Sequence, residues 1–461
     1  MTPVALSRRS GWALPWILVC VALASCATQN LPVPEPRDAP PLVVKEHPLP
    51  PEAEDRVLRS ALGEYATDPA VSGLIEAVRT HSPSPLTAGN KVTPLMDGPE
   101  TFGAIRAAVR AARHHIHVET FIYGDDELGR EFADLLVQKH REGVAVRVLY
   151  DSVGSMTTPR AFFDEMRANG IDVREFRPMN PMENPRIWDI QNRDHRKIVV
   201  VDGKVGFTGG INIDDTYSSS SSIKPGPKRG IEDGWRDTHV RIEGPAVTQL
   251  QQLFMQTWNK AGEQTHFAPE YFPKIPSSGT DLVTIVANES DSDDRWLYGT
   301  VLAAITHSSS RLWITQAYFA PNEALLSALI EAAKRGVDVR LIVPGFSDSN
   351  IVLQASRATY TQLLDGGVHI FERKDALLHA KTIVIDGALS MIGSANLDMR
   401  SFVHNDEANA VIISRGVAQD MEAMFRRDEK ESRAVDARRW QHRSLWQRSK
   451  EFFTKLIGYW L

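Results

Sequence analysis

The chain writes one polar pattern twice. His195 to Asn212 reads HRKIVVVDGKVGFTGGIN, and His379 to Asn396 reads HAKTIVIDGALSMIGSAN. Each copy sets a Lys two residues after the His, an Asp five residues beyond the Lys, then Gly-Gly or Gly-Ser, and then an Asn. A duplication kept for packing alone would hold its apolar positions and let the polar ones drift. Here the polar positions agree, so the repeated unit carries chemistry as well as fold.

The likeness extends upstream. His115-Ile-His-Val-Glu-Thr-Phe-Ile-Tyr123 parallels Arg311-Leu-Trp-Ile-Thr-Gln-Ala-Tyr-Phe319, and both read as buried strands. A helical stretch follows each, Leu128 to His140 and Glu323 to Lys334, ended by Gly143 or Gly336 before a β-branched strand. A second helix leads to Asn169-Gly-Ile-Asp-Val173 or Gly366-Gly-Val-His-Ile370. Strands alternating with helices at these lengths predict an α/β chain of two similar α/β/α sandwich halves, packed about a pseudo-twofold axis. The halves are expected at residues 61–270 and 271–430, with motif stretches 189–216 and 373–400.

Period-two alternation puts His195 and Lys197 on one side of a strand, and His379 and Lys381 likewise. A pocket with both pairs suits a phosphodiester. The lysines, with Asn212 and Asn396 beside Gly210 and Ser394, would hold the non-bridging oxygens. One imidazole can attack phosphorus while the other moves the proton of the leaving or entering oxygen. Asp202 and Asp386 complete the two motifs and are counted with the catalytic set. Lysines in the charge-neutralising role leave no need for a metal or other cofactor. Each His also needs an acceptor to fix its tautomer. Glu407 lies 28 residues after His379, and Asp237 takes the matching place after His195, so each acid is expected to orient the histidine of its own half.

The two copies of HxKxxxxD resemble the phospholipase D superfamily. The finer resemblance is to bacterial cardiolipin synthases, carried by Glu119-Thr-Phe-Ile-Tyr-Gly-Asp-Asp-Glu-Leu-Gly129, Gly230-Ile-Glu-Asp-Gly-Trp-Arg-Asp237, Asp348-Ser-Asn350, Leu378-His-Ala-Lys-Thr-Ile-Val-Ile-Asp386 and Gly393-Ser-Ala-Asn-Leu-Asp-Met-Arg-Ser401. The resemblance covers roughly Leu95 to Asp428. It implies two phospholipase D-like domains and a covalent phosphohistidine resolved by an alcohol, with His195 in the place of the usual nucleophile. It also implies phospholipid substrates, with phosphatidylglycerol as the first candidate and phosphatidylethanolamine as the second, and a monomer working at a membrane. Motif symmetry alone does not choose the nucleophile, nor separate a transferase from a phospholipase D that uses water. A secreted nuclease and an inactive lipid-binding scaffold are the other readings. A net charge of −6 argues against a nucleic-acid partner, and the intact His195, Lys197, His379 and Lys381 argue against an inactive scaffold.

The ends of the chain concern place rather than chemistry. Arg8 and Arg9 precede an apolar run from Gly11 to Ala24, then Leu23-Ala24-Ser25-Cys26. This resembles a lipoprotein signal over residues 1–25 with Cys26 as the lipidated residue; an ordinary signal peptide or signal anchor is the alternative. Ala27 after the cysteine points to the outer membrane and a periplasmic face. Cleavage would remove Cys20, one of two cysteines, so no internal disulfide is expected. Residues 26–60 are proline-rich and read as a tether. Residues 431–461 read as a basic amphipathic tail, with Leu445, Trp446, Phe452, Phe453, Leu456, Ile457 and Trp460 on one face. That face either enters an anionic membrane interface or packs on the body. The cluster His114, His115 and His117 is open to a metal or to strand packing, and the run Ser218 to Ser222 to a role at the site mouth or a plain loop.

Overall fold

The computed structural model describes residues 31–44, 47–180, 191–221 and 234–444, with 446, 447 and 449. The lipoprotein-signal reading, Cys26 and the end of the amphipathic tail (445, 448 and 450–461) lie outside the described residues. Among the described residues, no helix is long and apolar enough to cross a membrane.

The chain enters through α1 (Pro51–Leu62) and α2 (Pro69–Thr80). Asp68 caps α2 by accepting from the Ala70 N–H, and Pro69 sits in its first turn, where a missing N–H costs nothing. The first half is then β1 (Thr87–Met96), α3 (Asp97–Ala111), β2 (His115–Thr120), α4 (Glu127–Arg141), β3 (Ala145–Asp151), α5 (Arg160–Ala168), β4 (Asp172–Phe176), β5 (Ile198–Val201), β6 (Val205–Gly209), β7 (Thr238–Glu243) and α6 (Val247–Lys260). The second half repeats the plan as β8 (Asp281–Asn288), α7 (Trp296–Thr306), β9 (Arg311–Gln316), α8 (Glu323–Lys334), β10 (Asp338–Pro344), α9 (Asn350–Asp365), β11 (His369–Arg373), β12 (Lys381–Ile385), β13 (Leu389–Gly393), β14 (Asn405–Ile413) and α10 (Arg415–Lys430).

The two sheets have one topology. In the first half the spatial order is β4-β3-β2-β5-β6-β7-β1, with β2, β3 and β4 parallel and the rest antiparallel. In the second it is β11-β10-β9-β12-β13-β14-β8, with the same three-strand parallel part. The parallel strands are joined by helical crossovers, as parallel pairing requires. The expected mixed α/β fold in two equivalent halves is therefore what the chain adopts. The halves meet along β1, which pairs with β7 from Lys91 to Met96 and with β8 at Thr87 and Asn90.

Two boundaries differ from the expectation. The proline-rich stretch is not a free tether where it is described. Leu42 is fully buried with Leu62, Leu74 and Val78 against Leu282, Trp296 and Leu297 of the second half. The Leu42 N–H donates to Glu54 at 2.9 Å, Arg79 donates to Pro40 O at 2.7 Å, and the Arg37 guanidinium lies 3.7 Å from the Trp296 ring centre. Proline fixed the local conformation there, but Leu42 supplied apolar area that a free tether would leave in water. For the same reason residues 61–88 pack on the second half, not the first. At the other end Ser432–Ala434 pairs with β11, and Trp440 lies 4.9 Å from Tyr360, so the described start of the tail packs on the body.

Candidate active site

β5 and β12 are buried β-branched runs at the centre of their sheets, and each motif histidine stands just before one of them. Both histidines are almost fully buried, as are Lys197 and Lys381. Lys197 Nζ donates to His195 O at 2.7 Å, and Lys381 Nζ donates to His379 O, so each ammonium is folded back along its own strand. The Phe121 ring meets His195 edge-on at 4.9 Å.

The orienting acids cross between the halves. His195 Nδ1 lies 3.0 Å from both oxygens of Glu407, and His379 Nδ1 lies 2.7 Å from Asp237 Oδ2. Each acid was expected to serve its own half; the structure reverses the pairing. The cause is backbone. Asn405–Asp406 pairs in parallel with Arg193–Asp194, and the His195 N–H donates to Asp406 O at 2.9 Å. In the mirror position Arg236 bridges to Leu378, and the His379 N–H donates to Arg236 O at 2.7 Å. Each half thus sends the strand that carries its acid into the loop before the other half's histidine. In each pair the carboxylate accepts the hydrogen bond of Nδ1–H, which leaves Nε2 for chemistry.

Electrostatics separate the pairs. Burial pushes His195 well below its usual range, and Lys197, Lys381 and His379 add to that. His379 is also lowered, by burial and then Lys381, against the pull of Asp237. Burial brings Lys197 down to about 7 against Glu407, and Lys381 down to about 8 against Asp237 and Glu407. Glu407 is raised by burial to about 7. Burial also pushes Asp237 upward, but Lys381 and His379 outweigh it and hold Asp237 below its usual range. The His379 pair therefore keeps an ionised acid. A phosphodiester placed between the lysines would favour their charged forms and those of the imidazoles.

Asp202 and Asp386 stand apart from this cluster. Each lies at the opposite end of its strand from the Lys, with Gly203 or Gly387 next to it and positive φ at both residues, so Asp-Gly forms a tight hairpin turn. The Asp202 carboxylate accepts the backbone N–H groups of Arg113, His114 and His115 at 2.7–2.9 Å. Asp386 accepts those of Ser309, Ser310 and Arg311 at 2.8–2.9 Å. The third motif residue pins the start of the neighbouring strand; five residues of extended chain, about 16 Å, separate it from the Lys, and the His lies two residues further back.

Gly210 and Ser394, expected to touch substrate, are committed elsewhere. A Cβ on Gly210 would come within 2.1 Å of Asp237 Oδ1, so Gly210 is the space into which Asp237 fits. Ser394 Oγ donates to Glu407 Oε2 at 2.5 Å and fixes that carboxylate. Asn212 Oδ1 accepts the Ile122 N–H at 3.2 Å, and Asn396 Oδ1 accepts the Tyr318 N–H at 3.4 Å, which ties each motif tail to the chain just after β2 or β9.

Aromatic residues complete the His379 side, and sequence reasoning missed them. Tyr217 OH lies 3.1 Å from His379 Nδ1 and accepts from Asn212 Nδ2 at 3.2 Å. The Trp235 ring lies 5.3 Å from His379. Tyr217 stands beside the serine run, where composition pointed to a loop; Ser221 in that run is buried and donates to Asp97. His115 and His117 share Gln251, and His117 stacks on Phe254 at 4.4 Å, as strand packing predicted. Among the described residues, no group of acids, histidines or cysteines is arranged to hold a metal.

Paired sheets of this topology, with two acid-seated histidines over two lysines, define a phosphodiester-processing protein of the phospholipase D type. The comparisons make the assignment finer. The chain belongs to the family described as cardiolipin synthase, phospholipase D-like domain, which matches residues 105–222 and 301–429, more than half of the chain. It is 37% identical over 393 residues to cardiolipin synthase 1 of Bacillus cereus, covering 84% of this chain and 75% of that protein. It is 38% identical over 377 residues to a cardiolipin synthase of Geobacillus kaustophilus, covering 81% and 73%. In fold it is similar to the crystal structure of a phosphatidylserine synthase from Haemophilus influenzae, with a TM-score of 0.58 at 14% identity, covering 84% of this chain and all of that one.

Proposed function

We propose that the protein is a phosphatidyltransferase that makes cardiolipin from phospholipids through a phosphohistidine. The observation that carries this reading is the crossed pair of dyads, His195–Glu407 and His379–Asp237, above Lys197 and Lys381. Family membership and the relatives' names support it.

In the first step His195 Nε2 attacks phosphorus of one phosphatidylglycerol. The bond to the glycerol headgroup breaks, and His379 gives that oxygen its proton. The lysines hold the non-bridging oxygens, where charge grows in the transition state. In the second step His379 takes the proton of an acceptor hydroxyl on a second phosphatidylglycerol. The hydroxyl oxygen attacks phosphorus and the P–N bond breaks. The sum is two phosphatidylglycerols to one cardiolipin and one glycerol, with both histidines restored. His195 is the nucleophile and His379 the proton carrier, because the ionised Asp237 suits an imidazole that must cycle through its charged form. Asn396 Nδ2, and the hydrogen of Asn212 Nδ2 that Tyr217 does not accept, would donate to the same phosphate.

Purified protein on phosphatidylglycerol vesicles should release glycerol and cardiolipin in equal amounts, measured by mass spectrometry; phosphatidic acid in place of cardiolipin would identify a hydrolase. Adding phosphatidylethanolamine tests it as a second donor. We further propose a monomer anchored by lipid on Cys26 at the periplasmic face of the outer membrane. Cys26→Ala should abolish metabolic labelling by palmitate and lessen membrane association only in part, because the basic tail is a second contact.

A further inference from the structure

Asp237 reaches His379 only because the chain at Arg236 has crossed into the second half. Two backbone bonds hold the crossing: the Arg236 N–H donates to Leu377 O at 2.8 Å, and Arg236 O accepts the His379 N–H at 2.7 Å. A single bridge of this kind fixes register poorly. The Arg236 side chain adds what the backbone lacks. It is 2% exposed, with Nε at 2.9 and 3.0 Å from the two oxygens of Asp428 and Nη2 at 2.8 Å. Asp428 lies near the end of α10 and is 1% exposed. Its Oδ1 also accepts from Arg373 Nη1 at 2.9 Å, which ties the clasp to β11. Asp97 closes the other side: its Oδ1 accepts the Asp237 N–H at 3.3 Å and lies 3.6 Å from Arg236 Nη1.

A buried ion pair seldom adds net stability over apolar side chains of the same volume, so stability does not explain this clasp. Its mirror position does. The residue before Glu407 is Asp406, whose Oδ1 accepts the Ser290 N–H at 2.6 Å and whose Oδ2 lies 3.8 Å from Lys260 at the end of α6. In both halves the residue before the orienting acid is an ion, and it meets an opposite charge on the last helix of the half it has crossed into. The signs are reversed, so the arrangement recurs while the residue types do not.

We propose that Asp428, acting through Arg236, is a positioning residue for His379: the clasp sets where Asp237 meets the imidazole, and so how well His379 delivers its proton. This rests on the function proposed above. Without the clasp, Asp237 keeps the station its own half gives it, with the Thr238 N–H donating to Oδ1 at 2.7 Å, but the second half no longer holds His379 in register with it. The proton transfer should suffer more than phosphoryl transfer itself.

The test compares Asp428→Asn, Arg236→Lys and His379→Ala on two donors, phosphatidylglycerol and a phosphatidyl p-nitrophenyl ester, whose leaving group departs without an acid. Arg236→Lys keeps the charge and loses the bidentate fork, so it covers the case in which Asp428→Asn fails to fold. Turnover of phosphatidylglycerol should fall on the order of 10²-fold in both clasp variants, while the nitrophenolate burst stays within about 3-fold. The limb of the pH–rate profile that belongs to the His379–Asp237 pair should also move, which a loss of folded protein would not cause. Equal loss on both donors with an unmoved pH profile, or no loss on either, overturns the proposal. His379→Ala should also keep its burst; if it does not, His379 is not the acid of the first step, and the pH limb alone then decides for Asp428.

Discussion

Both carboxylate oxygens of Glu407 lie 3.0 Å from Nδ1 of His195, a residue 212 positions earlier in the chain and in the other half of the molecule. His379 and Asp237 make the reciprocal contact across 142 positions. Neither half contains a complete histidine–acid pair, so the pairs form only when both sheets are joined along β1.

Single replacement of His195 or His379 by Ala should each lower cardiolipin formation on the order of 10⁴-fold, and the double variant should be no worse than either. In the proposed mechanism the two imidazoles handle one phosphoryl group in turn, so their losses should not add. Retention of most activity in one single variant speaks against the shared site. The assay is cardiolipin by mass spectrometry.

The crossing predicts which acid fails with which histidine. Glu407→Gln replaces the carboxylate that holds the His195 tautomer by a neutral amide, one end of which donates, and should slow phosphoenzyme formation by about 10²–10⁴-fold. Asp237→Asn should leave phosphoenzyme able to form from the nitrophenyl ester and slow its resolution by acceptor. Rapid-quench measurement of the phosphoenzyme separates the two. Glu407→Gln behaving like a defect of His379 would reject the crossed assignment.

Asp202→Ala and Asp386→Ala should lower stability rather than chemistry. Each loses an acceptor of three backbone N–H groups and puts alanine at positive φ, together about 2–3 kcal/mol. Denaturant midpoints should drop while turnover per folded molecule stays within about 3-fold. Asn in place of Asp202 tolerates the turn and should cost less.

His115 links folding to pH. Burial lowers it from the usual value to about 4, against a hydrogen bond to Gln251. Between about pH 4 and 6.5 the unfolded chain binds a proton there that the folded chain does not, so stability falls as pH falls through that window. The shift corresponds to on the order of 3 kcal/mol, fully lost only below the folded value. His115→Gln should lessen the slope of the stability profile over that range in urea titrations, the remainder coming from His117, His195, His239 and His379, which burial also lowers.

Activity should survive EDTA, because the proposed mechanism gives the charge-neutralising role to Lys197 and Lys381, buried beside both histidines. Full loss of turnover that one divalent ion restores would overturn that assignment.

The sequence by itself determined the chemistry and the class of fold. The paired His, Lys and Asn positions, the strand–helix alternation and the repeat of both halves were legible because each is a local pattern with a fixed period. It also named Asp237 and Glu407 as the acids. Only the tertiary structure decided whom they serve. Contacts of this kind depend on how two sheets join, and sequence spacing within one half carries no record of that. The same limit applies to Asp202 and Asp386, which sit in the motif by number yet lie a strand's length from the imidazoles. It applies to Gly210 and Ser394 as well, whose parts are to admit one acid and hold the other. Leu42 makes the point for packing: a proline-rich context predicted a tether, and one apolar side chain joined a core that Leu62 and Leu74 share with residues more than two hundred positions away. Local periodicity is written in neighbouring residues. Long-range partners are chosen by the burial and hydrogen bonding of groups that meet only in the folded chain.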